Sequence, residues 1–313
     1  MLRSVADPQF RDFTLVASTP LPPLDRVLRE RFPGSSWTQV RKLIATGKVF
    51  VDGAPSTDPR LCLGSGQKLE LKLRSARARP SGLSPHCILF VDASVVVVDK
   101  PAGVATVPYE DQEPDALSES LRDLLSRRGR TRIPPLGVVQ RLDKQTSGCL
   151  VFARSVPAKR ALQNQFRAHT VHRRYLALVH GQMPTQTIRT RLVQDRGDGR
   201  RGSTEDARFG RDAVTHIRNV EQFATTTLVE CRLETGRTHQ IRIHCAEAGH
   251  PLLGERVYAG SEHDGVLRHQ LHAVELGFIH PQTGKQLTFR SALAPDMEAT
   301  LGRLRASVQA SRE

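Results

Sequence analysis

The chain has 313 residues, with 46 lysines and arginines against 32 aspartates and glutamates, a formal net charge of +14 and a sequence pI near 10.3. That length suggests two domains, or one large domain with an appendage, and the basic excess points to a polyanionic partner, nucleic acid ahead of a mere solubility device. Five cysteines without a C-x-x-C pair, no signal-type apolar stretch and no run of about eighteen apolar residues argue against a disulfide framework, secretion and a transmembrane helix; a soluble, cytoplasmic protein is expected.

Residues 1–21 show weak periodicity and read as an arm or an added strand. From Pro23, Leu24, Val27, Leu28 and Phe32 recur at helical spacing, with Asp25 near the positive helix start. Pro33-Gly34 breaks that helix. Ser35 or Ser36 can cap a second one, whose expected apolar face is Trp37, Val40, Leu43 and Ile44, and Gly47 suits its C-terminal cap. Val49–Val51 reads as a strand, Asp52-Gly53 as a tight hairpin turn, and Gln67 to Leu73 as a closing strand. Two short helices followed by small strands, over about residues 22–73, resemble the S-four-type RNA-binding module. The resemblance implies that Arg41, Lys42 and Lys48, with Arg26 and Arg29 on the first helix, lie against the RNA backbone and neutralise phosphates. On the residues alone the same pattern is a solvated helical face.

Arginines, prolines and a glycine make 74–87 the expected linker. The second domain is expected over 88–313. Val95–Val98 is a buried strand by composition, and Asp99-Lys100-Pro101-Ala102-Gly103 follows as a turn. Gln140-Arg141-Leu142-Asp143-Lys144-Gln145-Thr146-Ser147-Gly148 then sets one carboxylate between two basic residues, on a loop that leads into the apolar run Cys149–Ala153. By local chemistry alone an Asp beside Arg and Lys reads as a surface ion pair. Further on, 157–170 reads as a helix, Tyr175–Val179 as a strand, 195–212 as a flexible basic loop, and Leu228–Leu233, Gln240–His244 and Leu271–Phe278 as strand, helix and strand. Short strands alternating with few long helices indicate an α+β domain on a large mixed, mostly antiparallel sheet with flanking helices, behind the small αβ module.

The nonapeptide resembles the HRLD-x-x-TSG signature of the RluA-type pseudouridine synthases at eight of nine positions; Gln140 stands where that family has His. Asp99–Gly103 is similar to the family's DKPAG motif, and Gly236-Arg237-Thr238-His239-Gln240-Ile241-Arg242-Ile243-His244 fits its GR-[ST]-HQ-[IL]-R-x-H motif throughout. The resemblance implies isomerisation of uridine to pseudouridine in structured RNA. The base is cut from its ribose, turned and rejoined through carbon, so atoms and redox state are unchanged and neither cofactor nor metal is implied. It further implies Asp143 as the catalytic acid, Arg242 as its cation, Tyr175 as the aromatic facing the base, and Arg141, with Gln140 beside it, as RNA contacts where the target base is extruded.

His239, His244, Cys245 and His250 cluster, but match neither H-E-x-x-H nor a zinc finger. Gly249–Glu255, which ends in Asp in most of the family, reads as a structural turn, and Leu271–Ala273 and His280–Gly284 as scaffold. The domain pairing favours large-subunit ribosomal RNA, with transfer RNA as the alternative, and a monomer is expected. Two other readings compete. A non-catalytic RNA-binding or ribosome-assembly protein would have no need to keep Asp143, Tyr175 and Arg242 together. A base-excising glycosylase would need a second, water-activating carboxylate near Asp143.

Overall fold

A capping box and a pair of left-handed turn residues set the geometry of the first elements. In the computed structural model, β1 (Phe13–Val16) is followed by α1 (Leu24–Arg31) and α2 (Trp37–Ala45), then β2 (Val49–Val51), β3 (Ala54–Ser56) and β4 (Lys68–Leu71). The structure describes residues 10–17, 21–56, 59, 61, 63, 66–75, 83–108, 116–258, 266 and 268–310. Ser36 accepts from Gln39 N while the Gln39 side chain accepts from Ser36 N, which satisfies two otherwise orphaned helix-start donors. Asp52 and Gly53 both have positive φ, as a two-residue hairpin turn requires. The four strands pair antiparallel in the order β1-β4-β2-β3. Leu24, Leu28, Val40, Ile44, Val49, Leu69 and Leu71 form the core beneath them. The first segment is therefore an added strand rather than a loose arm, although 1–9 and 18–20 lie outside the described residues. Trp37 departs from expectation: it occupies the first helical position and is 47% exposed, with the Arg41 guanidinium over its ring.

The chain divides into two compact units, Met1–Ser84 and Pro85–Glu313. Of the expected linker, 76–82 lie outside the described residues, and Pro85–Cys87 forms a 3-10 turn that runs into the second unit. That unit contains β5 (Ile88–Val91), β6 (Val95–Lys100), α3 (Leu117–Gly129), β7 (Gly137–Val138), β8 (Ser147–Ala153), α4 (Val156–Arg167), β9 (His172–His180), β10 (Gln186–Val193), β11 (Gly202–Thr204), β12 (Arg211–Gln222), β13 (Thr226–Leu233), α5 (Gln240–Glu247), β14 (Leu271–Ile279), β15 (Gln286–Arg290) and α6 (Pro295–Ala310). Its sheet runs β11-β10-β12-β13-β9-β14-β8-β6-β5, with β15 on β14 and β7 on β8. Among the described residues every pairing in this sheet is antiparallel except a two-residue parallel seam, His272 with Ser147 and Ala273 with Gly148. The expected mixed, mostly antiparallel sheet is therefore present.

Val95–Val98 of β6 and Cys149–Ala153 of β8 form unbroken apolar runs because both faces are covered there, one of them by α4 through Ala158 and Leu162. α6 packs Met297, Leu301, Leu304 and Val308 onto Leu178, Leu228 and Leu253. The stretch 195–212, expected as a loop, instead contains β11 and the start of β12. Backbone pairing to β10 organises it where apolar periodicity is missing. Among the described residues no helix is long and apolar enough to cross a membrane.

Candidate active site

The parallel seam fixes the loop that carries Asp143. Gly148 has φ +108, and a Cβ there would lie 2.2 Å from the Ala273 carbonyl oxygen, so β14 can approach β8 only because that position is glycine. Upstream, several of the loop's carbonyls and side chains are held. Thr106 Oγ1 donates to Leu142 O at 2.8 Å, and Gly103 N to Lys144 O at 2.8 Å. Arg268 donates to Gln145 O at 2.9 Å and ion-pairs with Asp296. Thr146 Oγ1 bonds His269 Nε2, and Ser147 Oγ bonds His272 Nδ1. Lys100 is fully buried and gives its three donors to the carbonyls of Pro101, Val104 and Lys144. Burial pushes its pKa down to about 7, with the negative charge of Asp143 opposing. The turn after β6 and the strand β14, both read as scaffold, thus brace one loop from two sides.

Asp143 projects from this loop with 23% of its side chain exposed, and Arg242 Nη1 donates to its Oδ2 at 3.1 Å. Residues 99 positions apart in the sequence meet here, as the motif resemblance implied. Arg242 lies in the first turn of α5, whose residues Gln240 to Cys245 are all buried. Gln240 anchors that turn: its Oε1 accepts from Thr235 Oγ1 and Arg237 N, and its Nε2 donates to Val214 O and Thr215 Oγ1. His239, just before the helix, is held at φ +59, a left-handed conformation that costs a non-glycine residue about 1 kcal/mol or more. Its Nε2 comes within 3.8 Å of Asp143, and its Nδ1 bonds Tyr258 Oη at 2.6 Å. Burial holds His239 below the ordinary histidine pKa, against the pull of Asp143.

Glu255, read from the sequence only as the end of a structural turn, has a role at this site that sequence reasoning missed. Its carboxylate is wholly buried and receives Arg242 Nε at 2.7 Å and Arg242 Nη2 at 2.8 Å, a bidentate pair on the far side of the guanidinium from Asp143. Burial alone would raise the Glu255 pKa; Arg242 overrides it and brings it to about 2. Burial likewise disfavours the Arg242 cation, but Glu255 and then Asp143 outweigh it and raise its pKa. Tyr258 stacks its ring on the guanidinium at 5.3 Å. Nothing in the sequence marked this role, because the burial of Arg242 and its approach to Glu255 are set by the fold.

Two clefts share Arg141, Gly236 and Arg237, from the segments that flank Asp143 and Arg242 in the sequence. One, of about 770 Å³, is lined by Arg141, Arg201, Arg211, Arg237 and Thr238 among others. The other, of about 490 Å³, is lined by Gln140, Arg141, Arg173, Tyr175 and Arg237. Tyr175 is nearly buried on β9, and burial raises its phenol pKa, with Arg173 opposing. The Gln140 Nε2 is buried and has no hydrogen-bond partner among the described residues, so a donor is available in the cleft that Tyr175 also lines. His244 bonds Thr215 and Thr190, and His250 the carbonyl of His180, so both serve packing. In the first unit, Arg26 pairs with Glu30, Arg41 with Asp25, Arg29 bonds the Pro33 carbonyl and Lys48 the Ser75 carbonyl, while Lys42 is exposed. A fixed carboxylate between a buried cation and cationic clefts can attack an electrophilic carbon or stabilise a cationic one.

Comparison with known proteins agrees with this geometry. A family model described as RNA pseudouridylate synthase matches residues 94–247, and one described as S4 domain matches residues 23–67. Ribosomal large subunit pseudouridine synthase D of Xanthomonas campestris is 35% identical over 90% of this chain and 88% of its own length. The protein of the same name from Zymomonas mobilis is 36% identical over 88% and 91%. The solved structure of human RNA pseudouridylate synthase domain containing 4 shares the fold, with a TM-score of 0.60 at 23% identity, over 70% of this chain and 93% of that one. Fold and relatives together define an RNA-modifying isomerase with an appended RNA-binding module. The chain belongs to the RNA pseudouridine synthase family.

Proposed function

We propose that this synthase acts on uridines of large-subunit ribosomal RNA, with Asp143 as the residue that reacts at the target nucleotide. The observation that carries the assignment is the chain Asp143–Arg242–Glu255. An acid at the cleft is oriented by a buried arginine, which is itself neutralised from behind. The names of the relatives support ribosomal RNA as the substrate.

In the reaction the bond from N1 of uracil to C1′ of ribose breaks and a bond from C5 to C1′ forms; the proton on C5 leaves and N1 gains one. Asp143 adds to the base or to the sugar carbon and releases it when the new bond closes. Arg242 keeps the carboxylate aimed throughout and supplies no proton. Tyr175 presents a ring face to the detached uracil, and its raised phenol pKa keeps it protonated at neutral pH. Arg141 and Gln140 hold the RNA at the gap left by the extruded base, and Arg26, Arg29, Arg41, Lys42 and Lys48 neutralise phosphates elsewhere on the substrate. Asp143→Asn should abolish pseudouridine formation while RNA binding persists. Pseudouridine mapping of total RNA with and without the wild-type protein identifies the target. Wild-type turnover by the variant, or a missing pseudouridine outside the large-subunit RNA, would overturn the corresponding half of the assignment.

A further inference from the structure

The segment between β11 and β12 ends in a braced tip. The Asp206 carboxylate accepts from Arg208 N, Nε and Nη2, and Thr204 Oγ1 accepts from Asp206 N. Arg191 donates to the carbonyls of Phe209 and Gly210 and to the Asp212 carboxylate. Gly210 takes φ +77, and a Cβ there would sit 3.0 Å from the Leu192 carbonyl oxygen. The backbone of the tip is therefore fixed, yet the Phe209 side chain is 58% exposed. It belongs to none of the apolar cores, and the Arg208 guanidinium lies over its ring at 5.5 Å. Phe209 also lines the larger cleft together with Arg141, Arg201, Arg211 and Arg237. The same cleft is lined by Thr238, which precedes His239 in the sequence, and by Arg141, two residues before Asp143.

A rigidly mounted aromatic ring in water, inside a cleft walled by arginines, is the arrangement that holds unpaired bases by stacking while cations track the backbone. We propose that Phe209 is a stacking platform for an unpaired base flanking the target uridine. Arg208 covers one face of the ring, and the base takes the other. Extruding the target leaves its neighbours without a stacking partner, and Phe209 supplies one, so it selects sites with a flanking single-stranded nucleotide. The proposal rests on the reading that RNA fills the cleft beside Asp143.

The test uses the full-length protein and total RNA from a strain lacking it, with pseudouridine formation measured against RNA concentration for wild type, Phe209→Ala, Phe209→Leu, Phe209→Tyr and Asp143→Asn. Phe209→Ala should raise KM roughly 10- to 100-fold with kcat at saturating RNA kept. Phe209→Tyr should restore KM, and Phe209→Leu, apolar but without a π-face, should not. The salt slope of binding should be unchanged in Phe209→Ala, since the substitution takes no cation from the phosphates. A wild-type KM in Phe209→Ala, full rescue by Phe209→Leu, or a loss of kcat accompanied by a lowered Tm would each overturn the proposal. Turnover by Asp143→Asn would instead remove the assignment of the acid, a result read independently of the Phe209 series.

Discussion

Replacing Glu255 by Gln keeps the shape of the buried side chain and removes its charge. Arg242 then keeps one good hydrogen bond, Nε or Nη2 with the amide oxygen, while the other N–H meets an amide NH2 group and is repelled. The Arg242 side chain is only 7% exposed, and its remaining counterion is Asp143, on one side. Breaking a buried pair by removing one partner costs about 3–5 kcal/mol. The low end applies here because Asp143 still compensates part of the charge. The pKa of Glu255 supports the same size: a fall from 4.5 to about 2 corresponds to about 3 kcal/mol of native-state preference for the ionised form. For a unit of this size that predicts a Tm lower by roughly 6–12 °C, measured by scanning calorimetry. Catalysis should suffer separately. An arginine free to swing by about 1 Å no longer aims Asp143, and single-turnover pseudouridine formation at saturating RNA should slow by on the order of 100-fold. Glu255→Asp, which restores the charge on a shorter arm, should recover part of both. A Glu255→Gln protein with wild-type Tm and wild-type single-turnover rate would refute the reasoning that this carboxylate positions Arg242.

The same pair predicts an acid limb. A carboxyl with a depressed native pKa contributes stability that is complete above its unfolded pKa near 4.5 and is lost as pH falls through about 2. The loss of stability between those values should be shallower in Glu255→Gln, and identical slopes in acid titrations followed by circular dichroism would contradict it. Gly148→Ala combines a left-handed φ with a backbone collision across the parallel seam and should cost about 2–5 kcal/mol, seen as lowered Tm and solubility; a neutral effect would mean that the seam can open. Deleting residues 1–84 should weaken RNA binding and flatten its dependence on salt by about one logarithmic slope unit for each phosphate no longer neutralised, and an unchanged slope would show that the first unit neutralises none.

What was legible in the sequence was local or carried by motif. Ser36 with Gln39 and Asp52 with Gly53 are short-range devices, and β6 and β8 announce themselves by unbroken apolar runs. Asp143 and Arg242 were paired through motif resemblance, because no periodicity links positions so far apart. α3 and α6 were missed although Leu117, Leu121 and Leu125, and Met297, Leu301, Leu304 and Val308, recur at helical spacing. β11 could not be read, since three residues of glycine, serine and threonine become a strand only through pairing to β10. Glu255, Tyr258 and His239 escaped for a related reason. Their roles are set by what α5 presents to them, and a turn ending in Glu carries no mark of the arginine it will face.

The bracing of the Asp143 loop has a consequence for how the enzyme comes into being. Asp143 leaves the ribosome well before His269, His272, Arg268 and Asp296, which hold its loop. At roughly 5–20 residues per second, roughly 8–30 s separate the acid from its last support. During that interval the nascent chain carries Asp143 on a loop that lacks these supports. The loop that bears Asp143 therefore takes its final shape only after Arg268 and Asp296 have emerged and folded back onto it.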